Sequence, residues 1–166
     1  PDAIARSMVK GRTHTLGCIA PNLTDYTYAG IIEGAKVEAQ KYGYFLIIAT
    51  VSQEDKVGAL CDELLYSRRV DGFMVIDPYA DKRYRYFVQL EKQGTAIVYS
   101  GSRPRSKTFP TVHLDDQAGG QCATQHLVKL GHKHIAMITG PQKEDCVQDR
   151  IAGYERALTE ANLTPD

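Results

Sequence analysis

The side chains of this sequence that could do chemistry are polar and aromatic groups placed directly after apolar runs typical of β-strands. Sugar sites combine carboxylates and arginine, which hydrogen-bond hydroxyl groups, with an aromatic face that packs on the sugar ring. Each of these residues alone is equally compatible with a helix cap or a surface group. Their shared position after strands favours a small-molecule site. They are Asn22, Asp25, Tyr26, Tyr28, Ser100, Asp115 and Arg150.

The loops after the strands lack the motifs of common α/β enzymes. The loop 21–26 contains no glycine, whereas a dinucleotide site needs a glycine-rich first turn. The sequence has neither a P-loop nor a G-x-S-x-G elbow. Asp115 and Asp116 are adjacent, so on a strand they would point to opposite sides, and a helix N-cap at Asp116 is the simpler interpretation. An enzyme and a bound cofactor are therefore disfavoured.

Metal binding is also disfavoured. His132 and His134 stand two residues apart, with no cysteine or carboxylate at ligand spacing around them. The four cysteines are widely separated, and Cys18 and Cys122 lie in apolar patterns, which favours reduced thiols in a core. Reduced cysteines, together with the lack of a visible signal peptide or apolar span, favour a cytoplasmic location.

The charge balance bears on possible partners. The 166 residues contain 20 Lys and Arg against 20 Asp and Glu, so the formal net charge is zero. Long-range attraction to phosphate needs a basic surface. If this protein contacts DNA, a separate element must make the contact.

Alternating strand and helix patterns predict an α/β fold, a parallel sheet of about six strands with helices on both faces. In such sheets ligands bind at the carboxyl ends of the strands. The predicted strands are 16–20, 44–51, 73–76, 96–99, 111–114 and 135–139. The predicted helices are 28–39, stopped by Gly43; 57–65; 84–93, closed by Gly94; 116–130, with Asp116 as N-cap and Gly131 past the end; and 151–161.

Several motifs, spread over nearly the whole chain, resemble those of the LacI/GalR family of transcription regulators. Residues 5–17 resemble its A-R-S-L-x-x-G-x-T-x-x-I-G junction, and residues 21–33 resemble its P-x-x-x-N-P-F-F-A-E-I-I-x-G segment. Residues 69–72 match R-V-D-G, residues 112–120 resemble V-x-x-D-N-x-x-G-G, and residues 130–136 match L-G-H-R-x-I-A. Residues 140–141 and 150–154 resemble G-P followed by R-x-x-G-[FY].

The resemblance implies a three-part regulator with a DNA-reading headpiece, a hinge helix and a two-lobed sensor similar to type I periplasmic binding proteins. Residues 1–14 would be the end of the hinge and a linker, and residues 15–149 the N-terminal lobe. Residues 150–166 would begin the C-terminal lobe, most of which would be missing. The implied partners are operator DNA, a second copy of the chain and a small-molecule effector, most simply a sugar.

The resemblance also assigns roles to individual residues. Met8 stands where the family's hinge leucine is wedged between base pairs, and Arg6 could neutralise a nearby phosphate. The dimer contact would use the first helix, at Ile32 and Lys36. Predicted effector-binding residues are Asp25, Thr27, Tyr28, Ser100, Asp115, Cys146 and Arg150.

Some of these positions depart from the family pattern. Thr27 replaces an aromatic residue, and Ser100 stands where many members carry a sugar-binding aspartate. Glu144 and Cys146 stand where purine-sensing members carry Arg and Thr, which argues against a purine effector. The function that the resemblance implies is a DNA-binding regulator, most simply a repressor, that senses a sugar. The alternative is a periplasmic sugar-binding protein with no DNA function.

Overall fold

The computed structural model describes residues 12–51, 57–77, 80–101, 110–142 and 144–165. These residues fall in two compact units. The first contains 12–77, 81–100 and 110–112, and the second contains 80, 101 and 113–165, each with the gaps given above. The predicted hinge residues Arg6 and Met8 lie outside the described residues.

A five-stranded sheet forms the centre of the first unit. Its strands are β1 (Thr15–Ala20), β2 (Phe45–Thr50), β3 (Gly72–Asp77), β4 (Ala96–Gly101) and β5 (Thr111–Val112). The strand order is β2-β1-β3-β4-β5. β1 pairs in parallel with β2 and with β3, and β4 pairs in parallel with β5. β1, the first strand in sequence, therefore lies between β2 and β3, and the connection from β2 to β3 passes over it.

Three helices connect these strands: α1 (Tyr26–Lys41), α2 (Val57–Tyr66) and α3 (Ala80–Lys92). The turn after α1 passes through Gly43, whose φ of 73° lies in the left-handed region that only glycine adopts at little cost. Gly94 does the same after α3, with φ of 91°. Both glycines were predicted as helix stops from the sequence.

Both faces of the sheet carry apolar clusters, because successive side chains on a strand point to opposite sides. On one face Cys18 and Ile76 pack with Ile32 of α1. On the other, Ile19 and Val75 pack in a larger cluster with α2 and α3. The predicted parallel α/β architecture with helices on both faces is thus confirmed.

The second unit is built from α4 (Asp116–Lys129) and α5 (Asp145–Glu160). Its core contains Ile135, Tyr154 and Leu158. The buried hydroxyl of Tyr154 donates to the Ile135 carbonyl oxygen at 2.6 Å, which satisfies a polar group inside this small core.

Two sequence predictions are wrong. Residues 135–139 do not form a sixth strand, because no described strand pairs with them; Ile135 instead packs against α5. The N-cap of α4 is Asp115, one residue earlier than predicted, since its carboxylate accepts from the Ala118 amide at 3.0 Å. Ile32, predicted as a dimer contact, is 6% exposed and packs in the cluster between α1 and the sheet, and its place in a dimer interface stays a prediction.

Candidate functional site

Arg150, a predicted site residue on α5, forms an ion pair with Asp116, the first residue of α4. The Nε and Nη2 atoms of Arg150 both lie 2.8 Å from Oδ1 of Asp116. The Arg150 side chain is 47% exposed, whereas that of Asp116 is 12% exposed. The carboxylate is thus fixed in the protein while about half of the guanidinium side chain faces outward, where it can meet a ligand.

Two glycines fix the distance between the helices that carry this pair. A Cβ atom on Gly120 would clash with the backbone carbonyl of Arg150, and one on Gly153 would clash with the Gln117 carbonyl and lie 2.7 Å from the Gln121 nitrogen. The helix backbones therefore touch at these points, which only glycine permits. The position of Arg150 is set by backbone contact rather than by flexible side chains.

Cys146 lies in the electrostatic surroundings of this pair. Its thiol is 3.8 Å from Oε2 of Glu144. Burial raises the pKa of the Cys146 thiol most; Arg150 pulls that pKa down, while Asp116 and Glu144 push it up. The predicted site residues Cys146 and Arg150 are thus brought together, one turn apart on α5, with two carboxylates near them.

Asp115 has a structural task of its own as the N-cap of α4. A capping carboxylate accepts the backbone amide that a helix start leaves unpaired. Only one of its oxygens is used in this way. The other oxygen keeps the capacity to accept from a hydroxyl group, so the predicted contact of Asp115 with an effector remains a prediction.

In the first unit, the loop after β1 is ordered by its own side chains. Oδ1 of Asn22 accepts from the amides of Thr24 at 3.0 Å and Asp25 at 2.8 Å. Asp25 then caps α1, because its Oδ1 accepts from the Thr27 amide at 2.8 Å. This loop follows the carboxyl end of β1, the predicted position for ligand groups.

Aromatic and hydroxyl groups at this level differ in exposure. Tyr28 is half-buried and packs on the cluster beneath α1, whereas Tyr26 is 93% exposed. Ser100 is half-buried near the end of β4, opposite Val112 of β5. Tyr26, left out of the predicted effector-binding set, is therefore the aromatic side chain of this loop with the most open face.

Asp116 is the functional candidate that sequence reasoning assigned only to capping. Its partner Arg150 is 34 residues away, and no periodicity reports such a contact. A signal was present, however. The family pattern V-x-x-D-N carries asparagine where this chain carries Asp116, and a charge at a motif position invites a search for a partner of opposite sign.

The predicted dimer contact on α1 retains one exposed residue. Lys36 is exposed, and its Nζ lies 2.8 Å from Oε2 of Glu33, a pair within one helix turn. Such exposed pairs add little to stability. The predicted dimer contact at Ile32 and Lys36 stays a prediction.

The described residues lack both a membrane-spanning helix and a cluster of metal ligands. In the described segments, no helix is long and apolar enough to cross a bilayer. Within the same segments, no group of three or more His, Cys, Asp or Glu residues could hold a metal ion.

These features define an α/β protein with a parallel sheet, and sequence comparison identifies its family. Residues 13–165 match the family described as periplasmic binding proteins and sugar binding domain of the LacI family. The chain therefore belongs to this family, and the resemblance seen in its motifs is confirmed.

Individual relatives agree with this assignment. Catabolite control protein A of Priestia megaterium is 30% identical over 165 residues, covering 98% of this chain and 49% of the relative. A transcriptional regulator CelR in complex with cellobiose has a TM-score of 0.77 at 27% identity, covering 98% of this chain and 53% of that one. The Cra transcriptional dual regulator of Pseudomonas putida, in complex with fructose 1-phosphate, has a TM-score of 0.75 at 27% identity, covering 93% and 57%.

The second and third of these relatives are transcription regulators by name. The chain spans about half the length of the curated relatives that it matches.

Proposed function

We propose that this chain is part of a cytoplasmic, homodimeric DNA-binding transcription regulator, a repressor in its simplest form, and that it senses a sugar or a similar polyhydroxylated molecule. The observation that carries the proposal is the Arg150 guanidinium, held by Asp116 and half-exposed beside Cys146. Family membership over residues 13–165 supports the same function. The protein has no catalytic role in this proposal.

In the proposed mechanism Arg150 binds effector hydroxyls through guanidinium donors left over from its pair with Asp116. A guanidinium has five N–H donors in a fixed fork, so several remain for a ligand. Asp25, Thr27, Tyr28, Ser100 and Asp115 keep their predicted effector contacts as part of the proposal. Binding then shifts the balance between two conformations with different operator affinities.

The effector half of the proposal is tested with Arg150→Ala in the complete protein. Operator affinity is measured by fluorescence anisotropy with and without sugars, on DNA selected by the protein itself. We expect the variant to bind operator normally and to lose the sugar response. Arg156→Ala is the matched control, because Arg156 lies on the same helix, is exposed and pairs with Glu160 four residues on. An unchanged sugar response in Arg150→Ala would overturn the role of Arg150.

The DNA half is tested at Met8, which carries the predicted wedge between base pairs. Met8→Ala should weaken specific operator binding while leaving sugar affinity unchanged, because a wedge acts on the DNA alone. Arg6→Ala should weaken binding to any DNA sequence and reduce its salt dependence. Equal operator binding by Met8→Ala and the unaltered protein would contradict the wedge.

A periplasmic sugar-binding protein is the second candidate, because the family description covers that class as well. The two candidates differ in one measurement. A complete protein that binds sugars and selects no DNA sequence is a binding protein, and the roles of Arg6 and Met8 then fail while that of Arg150 stands.

A further inference from the structure

We propose that Asp116 makes this site selective for uncharged effectors. Its carboxylate already balances the positive charge of Arg150 before a ligand binds, and this disfavours phosphorylated or carboxylated ligands. The inference rests on the proposed function and narrows it to one chemical class. Family membership does not decide this point, because the similar structures include a cellobiose complex and a fructose 1-phosphate complex.

The geometry leaves little positive charge for an anion. Both Nε and Nη2 of Arg150 are directed at a single oxygen of Asp116, at 2.8 Å each. This edge is one of the two at which paired N–H donors of a guanidinium give the strong two-pronged contact with phosphate or carboxylate, and Asp116 already occupies it. To use it, such a ligand would have to displace a carboxylate that the protein itself holds in place.

The charges near Arg150 act in the same direction. Glu144 lies close enough to raise the pKa of Cys146, as does Asp116. The positive charge of Arg150 is thus balanced by the Asp116 carboxylate at 2.8 Å. A neutral sugar does not need that positive charge, because its hydroxyls can accept from the remaining Arg150 donors and donate to the second oxygen of Asp116.

The pair is also fixed rather than adaptable. Gly120 and Gly153 bring the helix backbones into contact, so the backbones of Asp116 and Arg150 cannot separate without moving a whole helix. With 12% of its side chain exposed, Asp116 is held in the protein, whereas a surface carboxylate could swing away. A bound anion would therefore meet the Asp116 charge at close range.

The test compares Asp116→Asn with the unaltered protein in its complete form. Asparagine has nearly the same shape and keeps an oxygen for Arg150, which is itself solvated, so the variant should fold; circular dichroism checks this. Glu155→Gln is the matched control, because it removes one negative charge from an exposed position on α5, five residues after Arg150. Binding is measured by calorimetry at constant ionic strength, with inorganic phosphate and with the pairs fructose and fructose 1-phosphate, ribose and ribose 5-phosphate.

We expect Asp116→Asn to bind inorganic phosphate at least about tenfold more tightly than the unaltered protein, a free-energy change of about 1.4 kcal/mol. Glu155→Gln should differ from the unaltered protein by less than about twofold, because its charge is exposed and screened. For any sugar pair that binds, the unaltered protein should prefer the neutral member, and Asp116→Asn should reduce that preference.

The outcomes separate this inference from the proposed function. If the unaltered protein binds phosphate as tightly as Asp116→Asn, or prefers a phosphorylated sugar, selectivity by Asp116 is wrong even where sugar sensing stands. If phosphate binding appears only in Asp116→Asn while no sugar alters operator binding, the charge effect stands and the sugar-sensing function fails. An equal gain in Glu155→Gln also overturns the inference, because net charge would then explain the effect.

Discussion

The carboxylate of Asp71 holds the backbone of Thr13 at the entrance to the first strand. Its Oδ1 accepts from the Thr13 amide at 2.6 Å and from the Thr13 hydroxyl at 2.8 Å, and its Oδ2 accepts from the His14 amide at 2.9 Å. The Asp71 amide in turn donates to the Thr15 carbonyl at 2.8 Å. Asp71 belongs to the R-V-D-G turn, so this turn fastens the chain as it enters β1.

Asp71→Ala should therefore destabilise the protein by about 2 kcal/mol, since hydrogen bonds to a charged group contribute about 1.5–3 kcal/mol and this site is partly exposed. Urea unfolding measures the change. Glu63→Ala, at an exposed carboxylate on α2, serves as the control and should be nearly neutral. A difference below about 0.5 kcal/mol between the two variants would contradict the anchoring role of Asp71.

Neighbouring glycines on α4 should respond in opposite ways to alanine. A Cβ on Gly120 would clash with the Arg150 backbone, whereas a Cβ on Gly119 would meet nothing within 4 Å. Gly119→Ala should stabilise the helix by about 0.5–1 kcal/mol. Gly120→Ala should destabilise the protein by about 1–3 kcal/mol through overpacking. Thermal unfolding of both variants measures the contrast, and equal shifts would show that the helices do not touch there.

The cysteines should differ in reactivity with a thiol reagent at pH 8. Burial raises the pKa of Cys18 to about 11 and that of Cys61 to about 12, the latter aided by Asp62. The thiolate is the reactive form, so these two residues should react only when the protein unfolds. Cys122 is exposed and should react first. Mass spectrometry after brief iodoacetamide treatment identifies the modified residue, and early labelling of Cys61 would contradict its burial.

Stability should fall in alkali for the same reason. The folded pKa values of Cys18 and Cys61 are raised above the ordinary value of 9.0, so their contribution is complete below pH 9. It is lost as the pH rises toward 11 and 12, because the unfolded thiols lose their protons first. The slope is at most about 1.4 kcal/mol per pH unit for each thiol. Cys61→Ala should show a shallower decline of unfolding free energy between pH 9 and 11, and an identical slope would contradict the assignment.

The hydroxyl of Tyr154 provides a test of the second unit. Tyr154→Phe removes the donor to the Ile135 carbonyl and leaves a buried acceptor unpaired, which should cost about 1–3 kcal/mol. Urea unfolding measures this cost. Tyr26→Phe is a suitable control, because Tyr26 is almost fully exposed. Equal stability of the two variants would mean that the Ile135 carbonyl is satisfied in another way.

The sequence predicts the elements of this fold better than the contacts between them. Strands such as β1 are short apolar runs, and α1 is marked by helical spacing and by Gly43, so local patterns identify them. Residues 135–139 have the same strand-like composition but remain outside the sheet, because a strand also needs a neighbour to pair with, which composition does not encode. The pair of Asp116 with Arg150 was missed for a similar reason, since it depends on how closely α4 and α5 pack.

The N-cap of α4 illustrates a finer limit. Asp115 and Asp116 are chemically identical, and either could cap a helix by residue type alone. Which one does so depends on where the backbone turns into the helix, a boundary that sequence patterns place only to within a few residues. The choice matters chemically, because the residue left over is the one that pairs with Arg150.

The contact of α4 and α5 through Gly120 and Gly153 has a mechanical consequence. Because the backbones of α4 and α5 are in direct contact, no layer of side chains that could deform lies between them at these points. The two helices should therefore move as one rigid unit. A displacement of Arg150 by a bound molecule would therefore also move the far end of α4, about 20 Å away along fourteen residues.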